Sequence, residues 1–157
     1  MPIAVESPEF RNGEPIPKKH TGEGPDVSPR LRWSGVPEGA RELALVCEDP
    51  DAPRAEPWVH WVLYGLSPSV HELPEGVSKE ARPAVPGAHQ GPNDSRGVGY
   101  SGPMPPRGHG RHRYFFRLYA LGQALDLPPG LDKAKLLAAI RPHVIGEGEL
   151  MGTYERR

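Results

Sequence analysis

The chain has 157 residues, with 19 Lys and Arg against 20 Asp and Glu, for a formal net charge of −1. A balance this even leaves no electrostatic footprint for nucleic acid, and the length suits a single domain, residues 1–157, with a substantial core. The 21 prolines and 19 glycines approach the composition of disordered chains, but strand-like apolar runs argue for a β protein with tight turns and long ordered loops.

The first residues, Met-Pro-Ile-Ala-Val-Glu-Ser-Pro, show no basic stretch followed by a long apolar one. No signal peptide and no membrane span are expected, so the expected location is the cytoplasm, without integral membrane association. The single cysteine, Cys47, lies in an apolar run and reads as a buried structural thiol. Ile3 and Val5 alternate as the start of an edge strand. Asn12-Gly13 between apolar residues predicts a hairpin, with Pro15 and Pro17 keeping its return arm at an edge. Residues 18–30 read as loop, and Leu31-Arg32-Trp33 as a short strand.

Leu43 to Cys47 and Trp58 to Leu66 are apolar on both faces, which predicts two strands buried in the sheet interior. Between them lies Asp49-Pro50-Asp51-Ala52-Pro53, and the second run holds His60. Two carboxylates at the mouth of one buried strand and a histidine in the next must be paired, wet or bound to something. Residues 67–111 form a long polar region rich in Pro and Gly, of the kind that tends to be functional when ordered. Tyr114 to Leu121 is a third strong strand. Asp132 caps a predicted helix through Ile140, with Leu136, Leu137 and Ile140 on one face. Over 143–149, a further helical turn is weakened by Gly146 and Gly148, and Leu150 to Tyr154 closes as a strand. Many short strands with one isolated helix predict a mainly β fold, a two-sheet antiparallel sandwich with a peripheral helix.

Residues 101–116 read Ser-Gly-Pro-Met-Pro-Pro-Arg-Gly-His-Gly-Arg-His-Arg-Tyr-Phe-Phe, a backbone with little freedom to lose on binding. His112 and Tyr114 share a face if the strand has begun, while Arg111 and Arg113 point to solvent. Asp-Pro-Asp-Ala-Pro, then Trp-x-His-Trp, then Gly-Pro-x-Pro-Pro-x-Gly-x-Gly-x-His-Arg-Tyr resemble the phosphatidylethanolamine-binding protein family, also called the Raf kinase inhibitor protein family. Ser28-Pro29, Leu31-x-Trp33-Ser34-Gly35-Val36-Pro37, Asn93-Asp94 and Gly152-Thr153-Tyr154 extend the likeness over most of the chain, and the length and closing segment look like the bacterial branch.

The resemblance implies a β-sandwich with one small cavity for anionic groups such as phosphate. It places Asp49, His60, His112, Met104, Pro105 and Pro106 around that cavity, with Tyr114 nearby. Asp51, Pro53, Pro57 and Trp58 would support it, although Trp58, like Trp33 and Trp61, also reads as core. Eukaryotic members carry a longer insert before the Trp, and Ala55 stands where their ligand-contacting tyrosine would be; their C-terminal helix has no counterpart after Tyr154. Those departures bear on phospholipid binding and on kinase inhibition, not on a small anion site. The family is also known for cis peptides here, so Ala52–Pro53 and Glu56–Pro57 are both expected to be cis.

Asp49 is expected to accept from a histidine ring N–H, and two histidines meeting at one carboxylate would offer donors to a phosphate oxygen. His109 and His112 have loose spacing for a metal, without a second Cys or a His-Glu-x-x-His pattern, so neither metal nor cofactor is expected. The expected function is binding of a small anionic or phosphorylated ligand, with room for an unidentified protein partner and for a homodimer. The rival is a hydrolase using Asp49, His60 and His112 as acid–base groups, with or without a metal.

Overall fold

The computed structural model describes residues 2–157. Strands β1 (Ala4–Glu6), β2 (Leu31–Ser34) and β5 (Glu72–Leu73) form a three-stranded sheet in the order β1-β2-β5. Strands β3 (Glu42–Asp49), β4 (Trp58–Leu66), β6 (His89–Gln90), β7 (His112–Leu121) and β8 (Val144–Tyr154) form a five-stranded sheet in the order β6-β4-β3-β7-β8. Every strand pair is antiparallel. One helix, α1 (Lys133–Ile140), lies between β7 and β8 in sequence. No helix of the described residues is long and apolar enough to cross a membrane.

β3 is buried throughout, and apolar from Leu43 to Cys47, because both of its faces are covered. Leu43, Leu45 and Cys47 join Leu31, Trp33, Trp61, Leu63, Phe116 and Leu118 in the main core. The alternate residues Ala44 and Val46 join Val62, Tyr64, Leu121, Leu136 and Ile140 in a second core against α1. A strand's period of two makes this division automatic once both faces have partners. Asp132 caps α1 by accepting from the Lys135 N–H at 2.8 Å. Leu136 and Ile140 are buried, and Leu137 packs partly against the same cluster.

The long region 67–111 holds β5 and β6 and is ordered by buried amides. Gln90 accepts from Trp61 Nε1 at 2.7 Å and donates to the carbonyls of Ser78 and Glu80. Asn93 donates to the Gly99 carbonyl and accepts from the N–H groups of Ser95 and Gly97.

Two expectations need correcting, and a segment the sequence left open takes a definite form. Asn12-Gly13 does make a turn, with the Glu14 N–H on the Arg11 carbonyl, but its arms do not pair with each other. They dock on β8 instead: Gly13 N–H donates to Met151, and Ile16 N–H to Thr153. Residues 144–149, which the sequence left open, are strand, because the edge of β7 pairs with them from Leu121 down to Arg117, with one irregularity between Ala120 and Leu121. Finally, every peptide bond of the described residues is trans, Ala52–Pro53 and Glu56–Pro57 included. The β3–β4 register runs out to Asp49 opposite Trp58, so residues 50–57 need only join adjacent strand ends. Arg54 gathers that connection: its N–H donates to Ala52, and its guanidinium to the carbonyls of Glu56 and Pro57 at 3.0 and 2.8 Å.

Candidate functional site

The three central strands of the larger sheet bring the titratable residues together. Asp49 ends β3, His60 lies near the start of β4, and His112 is the first residue of β7, so both histidines flank the carboxylate's strand. All three are buried. They line a pocket of about 240 Å³ with Met104, Pro105, Pro106, Tyr114, Pro53 and Trp58. Trp58 is half-buried and carries the Arg54 guanidinium on its outer face, 4.6 Å from the ring centre.

Asp49 has both oxygens engaged. Oδ1 accepts from the Asp51 N–H at 2.7 Å, which is the short-range loop bond that aspartate favours. Oδ2 lies 2.6 Å from His112 Nδ1. A carboxylate only accepts, so Nδ1 of His112 carries the proton of that bond. The other ring nitrogen, Nε2, lies 2.6 Å from Nδ1 of His109. Asp49, His112 and His109 thus form a line of hydrogen-bonded groups running outward to the loop 103–111. They are joined end to end and do not converge on a common point, as metal ligands would.

His60 is held differently. Its Nδ1 donates to the Ser101 carbonyl at 2.5 Å, which leaves Nε2 for a ligand. Its ring meets Tyr114 edge-on, with centres 5.1 Å apart. The two histidines therefore do not meet at one carboxylate: only His112 bonds Asp49. Burial lowers the His60 pKa below the usual histidine value, and its backbone hydrogen bond and the nearby Asp49 charge offset this only in part. Burial, with Asp49 next, pushes the Tyr114 phenol far up, so its O–H stays protonated.

Asp51 and Pro57 stand outside the pocket lining and act on its surroundings. Asp51 accepts from the Arg113 backbone N–H and from its guanidinium, each at 2.9 Å. These bonds hold its carboxyl below the ordinary aspartate value and tie the 50–57 connection to β7. Pro57 offers its carbonyl to Arg54.

The lining also includes Ala52, Ser95 and Gly102, and the contact to His112 adds His109; sequence reasoning named none of these as site residues. Ala52 and Gly102 lie inside the two motifs, and His109 had its three-residue spacing from His112; Ser95 had no signal. Gly102 is there because the chain passes very close to its neighbour: a Cβ at this position would lie 2.1 Å from the His20 carbonyl oxygen.

Comparison with known proteins gives these residues a context. Residues 6–155 match the family model described as phosphatidylethanolamine-binding protein. A UPF0098 protein of Methanothermobacter thermautotrophicus is 48% identical over 147 residues, covering 94% of this chain and 95% of that protein. The crystal structure of Escherichia coli YbcL, described as a member of the mammalian family, matches with a TM-score of 0.92 at 32% identity over the whole of both chains. A homologue from Chlamydia trachomatis matches with a TM-score of 0.89 at 41% identity over 99% of each chain. The chain belongs to the phosphatidylethanolamine-binding protein family.

Proposed function

We propose that the protein binds a small anionic or phosphorylated ligand in the pocket of Asp49, His60 and His112. The observation that carries this reading is the pair of buried imidazoles lining one small pocket, each with Nδ1 anchored by an acceptor. Anchoring at Nδ1 leaves His60 Nε2 free for a ligand, whereas His112 Nε2 is covered by His109 and reaches a ligand only once that ring moves; a protonated imidazole is a strong donor to a phosphate oxygen. Met104, the prolines and Trp58 supply apolar walls for the group that bears the charge. A pocket of about 240 Å³ suits an inorganic anion or a phosphorylated head group. If the phosphate sits on a protein side chain, the same pocket becomes the contact with a kinase or other signalling partner. The reading places the protein in the cytoplasm as one domain, able to pair with a second copy.

A hydrolase is the second reading, favoured by the Asp49–His112–His109 line, which orients an acid–base group. Against it, no serine or threonine hydroxyl of the described residues is hydrogen-bonded to His60, His109 or His112. The one thiol, Cys47, is buried, and burial pushes its pKa well up.

Calorimetry with inorganic phosphate and with phosphoethanolamine, on the wild type and on His60→Gln, tests the proposal. One site per chain is expected, with affinity lowered roughly tenfold by the substitution, as for one charge-assisted hydrogen bond. No heat with either compound at about pH 5.5, roughly a unit below the free histidine value, would overturn it. Turnover of phosphate or carboxylate esters that disappears in His112→Ala would favour the hydrolase.

A further inference from the structure

Behind the pocket wall lies the segment 18–27, and its histidine is unusual. The His20 carbonyl faces the pocket side, where it accepts from the Tyr100 hydroxyl at 2.6 Å. The ring is fully buried, and Nδ1 lies 2.8 Å from the Val27 carbonyl. A carbonyl only accepts, so Nδ1 carries a proton, and in the neutral ring Nε2 presents a lone pair. That Nε2 is buried and has no hydrogen-bond partner within the protein. It points toward Glu9, whose Oε2 is 3.9 Å away, too far for a hydrogen bond.

Two carboxylates converge on this nitrogen. Ligand atoms of Glu9, His20 and Glu75 all lie within 4.8 Å of one another. The Lys19 ammonium stands between the carboxylates, 3.3 Å from each. A Lys19 ion-pair network accounts for Glu9 and Glu75, but it leaves the buried His20 Nε2 without a partner. A buried acceptor left unmade is costly, so its orientation calls for a partner.

We propose that Glu9, His20 and Glu75 form a binding site for a divalent transition-metal ion of the zinc class. One imidazole and two carboxylates suit Zn²⁺, Mn²⁺ or Co²⁺ better than Ca²⁺, which takes six or more oxygens. The Nδ1 bond to Val27 is the outer hydrogen bond that metal-ligating histidines usually make, and it fixes the tautomer the metal needs. Bonds of about 2.0–2.2 Å require the three ligand atoms to close up by roughly an ångström. Glu75 and Lys19 are each about 40% exposed and free to make that adjustment, while His20 stays fixed. Lys19 swings to solvent as the ion enters. The bound ion joins the residues after β1, the turn at Lys18–His20 and the residues after β5. It is a structural clamp on the segment that backs the pocket, and it does not depend on the anion-binding proposal.

Titration of untagged protein with ZnCl₂ near neutral pH tests this. One zinc per chain is expected, with the melting temperature raised by roughly 5–10 °C at a metal concentration about 100 times Kd. Glu9→Gln and Glu75→Gln should each weaken zinc binding roughly tenfold or more. Lys19→Met should strengthen it about two- to fivefold, the scale of an exposed ion pair removed as competitor. His109→Ala should leave it unchanged. Metal-free melts of each variant separate lost binding from lost folding. No binding up to roughly millimolar zinc, binding that survives both glutamate substitutions, or binding lost in His109→Ala would each overturn the proposal.

Discussion

His60 and His112 flank the same strand and line the same pocket, yet their rings are held in opposite ways. His60 leans on a neutral carbonyl, and burial disfavours its charged form. Its ligand-side nitrogen is uncommitted. His112 leans on a carboxylate, and its remaining nitrogen is covered by a second imidazole. One histidine is open but needs a proton to become a strong donor. The other has a counter-ion but needs a neighbour to move. Identical side chains in one pocket thus reach the ligand by different routes, and the difference lies in the partner at Nδ1 and the occupant at Nε2.

The partner at Nδ1 is the easiest part to break. Asp49→Ala leaves the buried His112 N–H and the Asp51 N–H without their acceptor. Removing one member of a buried, hydrogen-bonded pair costs ~3 kcal/mol or more, which is roughly 6–12 °C in Tm for a chain of this size. His60→Gln loses a single bond to a backbone carbonyl and should cost only ~1–2 kcal/mol. Thermal melts of the two variants, without ligand, check the order. A His60→Gln cost equal to or above that of Asp49→Ala would mean the two rings are not held in these different ways.

The pH dependence separates the two routes next. The His60 pKa is lowered in the folded protein, so between that value and the unfolded value, near 6.5, the unfolded chain binds more protons. Its contribution to stability is present above about pH 6.5 and lost as pH falls through the folded value. Anion binding runs the other way, because it draws on the protonated ring: affinity for sulfate, whose charge is constant here, should rise as pH falls, by at most ~tenfold per unit. The melting-temperature gain from sulfate should therefore widen in acid while the anion-free protein weakens. An affinity flat across this range would remove His60 protonation from the account.

Much of this arrangement could be read from the residues, and what could not has physical causes. β3, β4 and β7 announce themselves because each is dominated by apolar residues it must bury. β8 does not: Val144 to Glu149 carry two glycines among exposed glutamates. Its pairing comes from the open edge of β7, and the glycines are there for clearance. A Cβ on Gly148 would sit 1.9 Å from the Ile3 carbonyl oxygen, and one on Gly152 would sit 2.5 Å from the Ile16 side chain. Such close approaches are invisible until the second sheet and the N-terminal segment are in place. At the site, the motif residues locate the pocket, but hydrogen-bond partners across the sheet do not follow from spacing. The Ser101 carbonyl under His60 comes from a residue 41 positions away. The trans prolines show the same limit: X–Pro bonds permit a cis bend, and the Arg54 bonds to the connection make it unnecessary.

The smallest predicted effect tests the occupant of His112 Nε2. His109 sits between Gly108 and Gly110, both at positive φ, with no atom within 4 Å of where their Cβ atoms would be. Glycine carries that backbone without strain; the loop is tied by the Gly108 N–H to the Arg156 carbonyl and the His109 N–H to the Pro106 carbonyl, while the His109 ring has one hydrogen bond among the described residues, to His112. With Nδ1 of His112 donating to Asp49, the neutral ring can only accept at Nε2, and His109 Nδ1–H supplies that donor. An anion oxygen at the same place needs His112 to donate, so it requires both a proton on His112 and departure of His109. Breaking one net hydrogen bond costs about 0.5–1 kcal/mol, which sets the handicap His109 imposes. His109→Ala should therefore raise affinity for sulfate by roughly two- to fivefold and change stability by less than His60→Gln does. Calorimetry on the variant at two pH values checks this. If affinity falls instead, the His109 ring closes over the bound anion as a donor, and His112 reaches its ligand with the neighbour's help.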